Sequence, residues 1–121
     1  FRLISYLIEI KRGVIDPSRN IITFGAYVAS LCREKNIKLI LITTPAMPSY
    51  YKNLKQDQMD CNSTTIKNLK LKYKNVFYYD FLNDKRFKSD DFFNADHLSD
   101  KGAMKFTLLL QDSIINIPSS Q

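Results

Sequence analysis

Residues 37–45 read Ile37-Lys38-Leu39-Ile40-Leu41-Ile42-Thr43-Thr44-Pro45. The run is short and apolar on both faces, which is the pattern of a central strand in a parallel sheet with helices covering both sides. Pro45 stops it, because proline lacks a donor and biases Thr44 toward extended backbone. On the amino-terminal side, Ile21, Phe24, Val28 and Leu31 recur at helical spacing and predict an amphipathic helix over Asn20 to Lys35. Cys32 falls on the same stripe and reads as a small buried hydrophobe.

On the carboxyl-terminal side, the loop from Thr43 to Tyr51 leaves the end of the strand where ligands gather in open α/β sheets. Thr43 and Thr44 are therefore candidate substrate-binding residues. Two polar helical pieces follow, Tyr50 to Asp60 and Ser63 to Tyr73. Asn62 or Ser63 caps the second, and Ile66, Leu69 and Tyr73 form its narrow stripe. Val76 to Phe81 is β-branched and aromatic and predicts a second strand, with Asp80 near its carboxyl end. Leu82 to Asp96 reads as a charged loop held down by Phe87, Phe92 and Phe93. A final helix is expected over Ser99 to Asn116, with its stripe at Ala103, Phe106, Leu110 and Ile114, before a loose Pro-Ser-Ser-Gln tail.

This alternation argues for an α/β fold with parallel strands and right-handed crossovers. A strand apolar on both faces needs neighbours on both edges. Either Phe1 to Ile10 supplies a third strand or the partner comes from outside these residues. Phe1 to Val14 is open between helix and strand, with Gly13 and Asp16-Pro17 closing it.

A chain of 121 residues, 45% hydrophobic and 25% charged, fits one small domain and is short for a complete doubly wound sheet. The net charge of +6 invites a nucleic-acid reading. The lysines, however, are scattered over polar helix positions without a recognition motif, so a solvated basic face is the better account. No apolar run is long enough to span a bilayer. Phe1 to Ile10 is interrupted by Arg2 and Glu9 and lacks a cleavage site, so any targeting or anchoring segment is expected upstream. Cys61 has no cysteine at motif spacing, and one histidine without a second ligand argues against a zinc site.

The chemistry concentrates in Asp91-Phe92-Phe93-Asn94-Ala95-Asp96-His97-Leu98-Ser99-Asp100-Lys101-Gly102-Ala103, which holds the only histidine. Ser99 is a natural N-cap and Asp100 a favourable first-turn anion, so His97 sits at the mouth of a helix. A histidine there can serve as a general base near neutral pH once a neighbour fixes its tautomer. Alone it could equally be a surface residue.

The string from Phe93 to Ala103 resembles the last block of the SGNH (GDSL-type) hydrolases, in which an Asp-x-x-His pair opens the closing helix. Its His-Leu and Gly-Ala pairs are similar to the branch found in bacterial cell envelopes. The resemblance covers roughly Ile21 to Ile117 and implies a flavodoxin-like three-layer α/β/α scaffold with parallel strands. Residues 1–121 would form a single partial domain, its carboxyl-terminal half. It implies His97 as base, position 94 as the residue that orients the imidazole, an acylated carbohydrate or cell-envelope polymer as substrate, an extracytoplasmic setting and no cofactor. The orienting position holds Asn94, which can accept from Nδ1 but cannot stabilise an imidazolium by charge. Asp96 and Asp91 are the acids able to stand in, although Asp96, adjacent to His97, is expected to point away. The family's Gly-Asp-Ser nucleophile segment is nowhere in these residues. The reading is an SGNH-like esterase or O-acyltransferase whose nucleophile lies outside this stretch; the alternative is a non-catalytic flavodoxin-like module that binds a protein or polysaccharide.

Overall fold

A computed structural model describes residues 4–7 and 20–117, with side chains from residue 25 onward. The Gly13 and Asp16-Pro17 boundary and the Pro-Ser-Ser-Gln tail lie outside the described residues. So do the side chains of Ile21 and Phe24. The fold mixes helix and strand around a small parallel sheet, and the chain divides into two compact units.

The first unit runs to Thr43 and resumes over Leu54–Tyr79. It contains β1 (Ile4–Leu7), α1 (Asn20–Glu34), β2 (Leu39–Thr43), most of β3 (Val76–Asp80) and the long helix of the β2–β3 connection. The sheet order is β1-β2-β3. β1 and β2 run parallel, with Ile4 opposite Leu39 and Leu7 opposite Ile42. The third strand is thus supplied from within Phe1 to Ile10, and β2 is central as its sequence requires. Leu39, Ile40, Leu41 and Ile42 are all buried. Asn75 joins the parts, because its side-chain Nδ2 donates to the carbonyls of Ala29 and Ile37 while its backbone carbonyl accepts from Leu39 N–H.

Helix α1 ends one residue before the expected Lys35, and Asn36 follows in the left-handed region at φ 54°. Asparagine tolerates that conformation, and Ile37 N–H then closes back on the Cys32 carbonyl. The buried face of α1 includes Cys32 as expected, with Val28 packed against the core, but it leaves out Leu31. Leu31 is 41% exposed, whereas Ala29 and Cys32 are buried and Gly25 faces the neighbouring helix. A Cβ on Gly25 would meet Leu69 Cδ1 at 3.2 Å.

The predicted break at Asn62 or Ser63 is absent. A single helix spans Gln56–Lys72, and both residues lie inside it. The stripe holds, with Leu69 and Tyr73 buried and Ile66 packed against the same core, together with the buried Thr65. Thr65 sends its hydroxyl to the Cys61 carbonyl one turn back. This satisfies a polar group inside the helix where the sequence suggested a cap.

The second unit comprises Thr44–Asn53 and the residues from Asp80 onward. In chain order α2 is the short helix Pro48–Tyr51 and α3 the Gln56–Lys72 helix of the first unit. A 3-10 turn over Ser89–Asp91, strands β4 (Phe92–Asn94) and β5 (His97–Leu98), and α4 (Asp100–Ile115) follow. β4 and β5 pair antiparallel with a bulge, Asn94 opposite His97. The stretch expected as plain loop is thus partly a tight hairpin. Phe87 and Phe81 both meet Phe106 edge-on in this unit's core, at 6.3 and 5.2 Å between ring centres. Phe93 does not tuck in; it is 82% exposed, because alternation along β4 turns it opposite to Phe92. Ala103 is also exposed, and the inward face of α4 starts at Gly102.

Candidate functional site

Three of the predicted residues come together in the β4–β5 hairpin. The His97 Nδ1 lies 2.9 Å from Asn94 Oδ1 and 3.0 Å from Asp96 Oδ1. Both partners are acceptors there, so Nδ1 carries the proton and Nε2 keeps the basic lone pair. Asn94 Oδ1 also accepts the backbone N–H groups of Asp96 and His97, at 3.2 and 3.0 Å. One amide oxygen therefore shapes the turn and orients the ring together.

Asp96 overturns the expectation that it points away. The bulge between Phe92 and Asn94 and the tight return through Ala95 bend the chain enough for adjacent side chains to meet. The carboxylate supplies the negative charge that Asn94 lacks. The ring itself is open, with its side chain 62% exposed, and among the described residues Nε2 has no hydrogen-bond partner.

The segment after Pro45 bonds at two points within this unit, one of them on the hairpin. Met47 N–H donates to the Ala95 carbonyl at 2.8 Å and Ala46 N–H to the Leu82 carbonyl at 3.2 Å. The segment following Pro45 therefore docks directly on the histidine turn. In the same unit, the Lys85 ammonium lies 6.0 Å from the centre of the Tyr51 ring. Thr44 makes no hydrogen bond to the His97 ring. Thr43 belongs to the first unit, where its hydroxyl bonds to Tyr78 OH at 2.7 Å.

Asp91, the second stand-in for the acid, has another task. It is completely buried; its carboxylate pairs with Lys105 and accepts Lys88 N–H at 2.9 Å. Lys105 first, and then the Lys88 amide, hold this carboxyl below the usual aspartate range. The Asp91 backbone carbonyl accepts Ser99 N–H at 2.9 Å, and Ser99 in turn caps α4 by accepting Gly102 N–H. A Cβ at position 102 would stand 1.9 Å from that Asp91 carbonyl oxygen. The latch thus clamps the start of α4 onto the turn that precedes β4, with His97 between the two anchored points. Sequence reasoning missed this role. The signal was Gly102 in the first turn of a helix, where glycine costs stability unless another backbone must come close.

Among the described residues no group of histidine, cysteine and acidic side chains is arranged to hold a metal ion. Compared with protein-family models, curated proteins and solved structures, the chain matches none.

Proposed function

We propose that this chain is the carboxyl-terminal part of an SGNH-like esterase or O-acyltransferase domain, acting outside the cytoplasm on acyl esters of a cell-envelope carbohydrate or polymer. The observation that carries the reading is the imidazole held at Nδ1 by Asn94 and Asp96 with Nε2 free. In this reading a flavodoxin-like three-layer scaffold is completed by residues beyond these 121, which also bring the nucleophilic serine. His97 Nε2 takes the serine proton as the oxygen attacks the ester carbonyl, and Asp96 stabilises the imidazolium that forms. Backbone or side-chain donors hold the tetrahedral oxyanion. His97 then returns the proton to the departing alkoxide, and water or an acceptor hydroxyl releases the acyl group by the reverse sequence. Thr44, which follows β2 and belongs to the same unit as His97, is the proposed substrate-side residue. The mechanism calls on no metal or organic cofactor and no nucleic acid.

A second reading, a non-catalytic flavodoxin-like binding module, draws on Asn94 in the acid position and on the openness of the ring. The two part on the gene product read upstream of Phe1. The enzyme reading expects an apolar strand followed by Gly-Asp-Ser, a serine labelled by a fluorophosphonate, and loss of labelling in His97→Ala. A longer product without that serine, or one labelled equally well without His97, supports the binding module instead.

A further inference from the structure

The outward faces of α1 and α3 combine two features that a helix layer facing only water does not need. Tyr27 and Leu31 on α1 and Leu71 on α3 are exposed, Leu71 at 66%. The two helices pack on each other through Gly25 and Leu69 and share one core, so these side chains rise from one layer. Lys67, Lys70, Lys72 and Lys74 flank Leu71 along the chain, Arg33 lies in the last turn of α1, and Lys35 follows that helix. All six are exposed, and none forms an ion pair among the described residues. Glu34 is the one acid in the ranges 27–38 and 63–75. The second unit contrasts with this, because its Asp84, Asp90 and Asp91 are paired with Arg86, Lys101 and Lys105.

Cations at helix carboxyl ends have a structural use, since they offset the macrodipole. That use explains neither Lys67 and Lys74, which lie outside the last turn of α3, nor the exposed leucine among them. Nor does the fold demand it, for α4 ends without a basic residue. The aromatic ring at the centre of the cations, Tyr73, is buried with Arg33 and Lys72 over it at 5.3 and 5.4 Å, so it is closed to stacking on a base.

We infer that the α1–α3 face is a docking surface for an anionic bilayer, with Leu71, Leu31 and Tyr27 entering the interfacial layer and Lys67, Lys70 and Lys74 meeting lipid phosphates. Charge complementarity selects the partner, and the exposed apolar side chains distinguish a membrane from a soluble polyanion. No described helix is long and apolar enough to cross a bilayer, so the contact is one of lying on the surface.

The test is sedimentation of the full chain with phosphatidylcholine vesicles, with and without phosphatidylglycerol. Partitioning onto the anionic vesicles should be at least about a hundredfold stronger. Lys67→Gln/Lys70→Gln/Lys74→Gln should weaken it by about a hundredfold, roughly fivefold for each charge. Leu71→Gln should weaken it by about three- to tenfold while leaving retention on heparin unchanged. The substituted positions are all exposed, and an unchanged melting temperature confirms that the variants fold. Equal partitioning onto neutral and anionic vesicles, indifference to Leu71→Gln, or displacement from vesicles by single-stranded DNA would each overturn the proposal.

Discussion

Asn94 Oδ1 receives three donors, two from the backbone of the turn and one from the imidazole. Removing it in Asn94→Ala releases the ring and loosens the hairpin, at a cost of about 1 kcal/mol, read by chemical denaturation. Asn94→Asp keeps the acceptor and adds charge, so it should retain the hairpin, and an enzyme built on this site should gain activity from it. Gly102→Ala is the severe change, because its Cβ would meet the Asp91 carbonyl. It should cost about 3 kcal/mol, the upper range for overpacking, whereas Ala103→Gly next to it should lose only about 1 kcal/mol of helix propensity. At this scale the sequence was informative about the spacing from Asn94 to His97 and offered Asp96 as a stand-in acid, but it put the Asp96 carboxylate on the wrong side of the chain. A bulge decides whether adjacent side chains meet, and a bulge leaves little mark in residue type.

The helices show where pattern reading succeeds and where it slips. The stripe of α3 at Ile66, Leu69 and Tyr73 was legible because large residues repeat at helical spacing on an otherwise polar element. Among the described side chains of α1 only Leu31 was misplaced, because volume was read as burial, whereas close helix packing buries Ala29 beside the expected Cys32. Burial also pushes the Cys32 thiol above its ordinary range. Cys32 should therefore resist iodoacetamide until the chain unfolds, a protection that mass spectrometry of the labelled protein would read.

The latch between the 3-10 turn and α4 has a pH signature. Lys105, Lys101 and Arg86 hold the carboxyls of Asp91, Asp90 and Asp84 below the ordinary aspartate range. Groups with depressed folded-state values stabilise the protein above the unfolded-state value of about 3.9 and lose that contribution as pH falls through the folded-state value. Denaturation midpoints should hold steady from pH 7 down to about 5 and fall steeply below about pH 4. Asp91→Ala, which strands Lys105 beside a buried gap, should lower the midpoint far more than Asp90→Ala, whose Lys101 pair is exposed and screened.

For the molecule as a whole, the alternation of helix and strand and the central position of β2 were written in the run Leu39 to Ile42. The third strand was legible only as a requirement, since β2 needs a partner on each edge and Ile4–Leu7 supplies one of them. The net charge of +6 said nothing about where it collects, because ion pairing in one unit and its absence among the described residues of the other are tertiary facts. On the proposed function, the 121 residues hold a base without its nucleophile. They should hydrolyse p-nitrophenyl acetate no faster than an exposed histidine does, and a robust rate lost in His97→Ala would reveal a nucleophile within the chain.

The proposed base is an imidazole whose Nδ1 is held by Asn94 and Asp96 and whose Nε2 is left as the basic nitrogen. With one histidine in the sequence, nitrogen NMR of the labelled imidazole reads that state without overlap, at a pH where the ring is neutral. A dominant Nδ1–H tautomer that collapses toward the free-histidine mixture in Asn94→Ala is the predicted result. A dominant Nε2–H tautomer, or one indifferent to Asn94, would contradict the account.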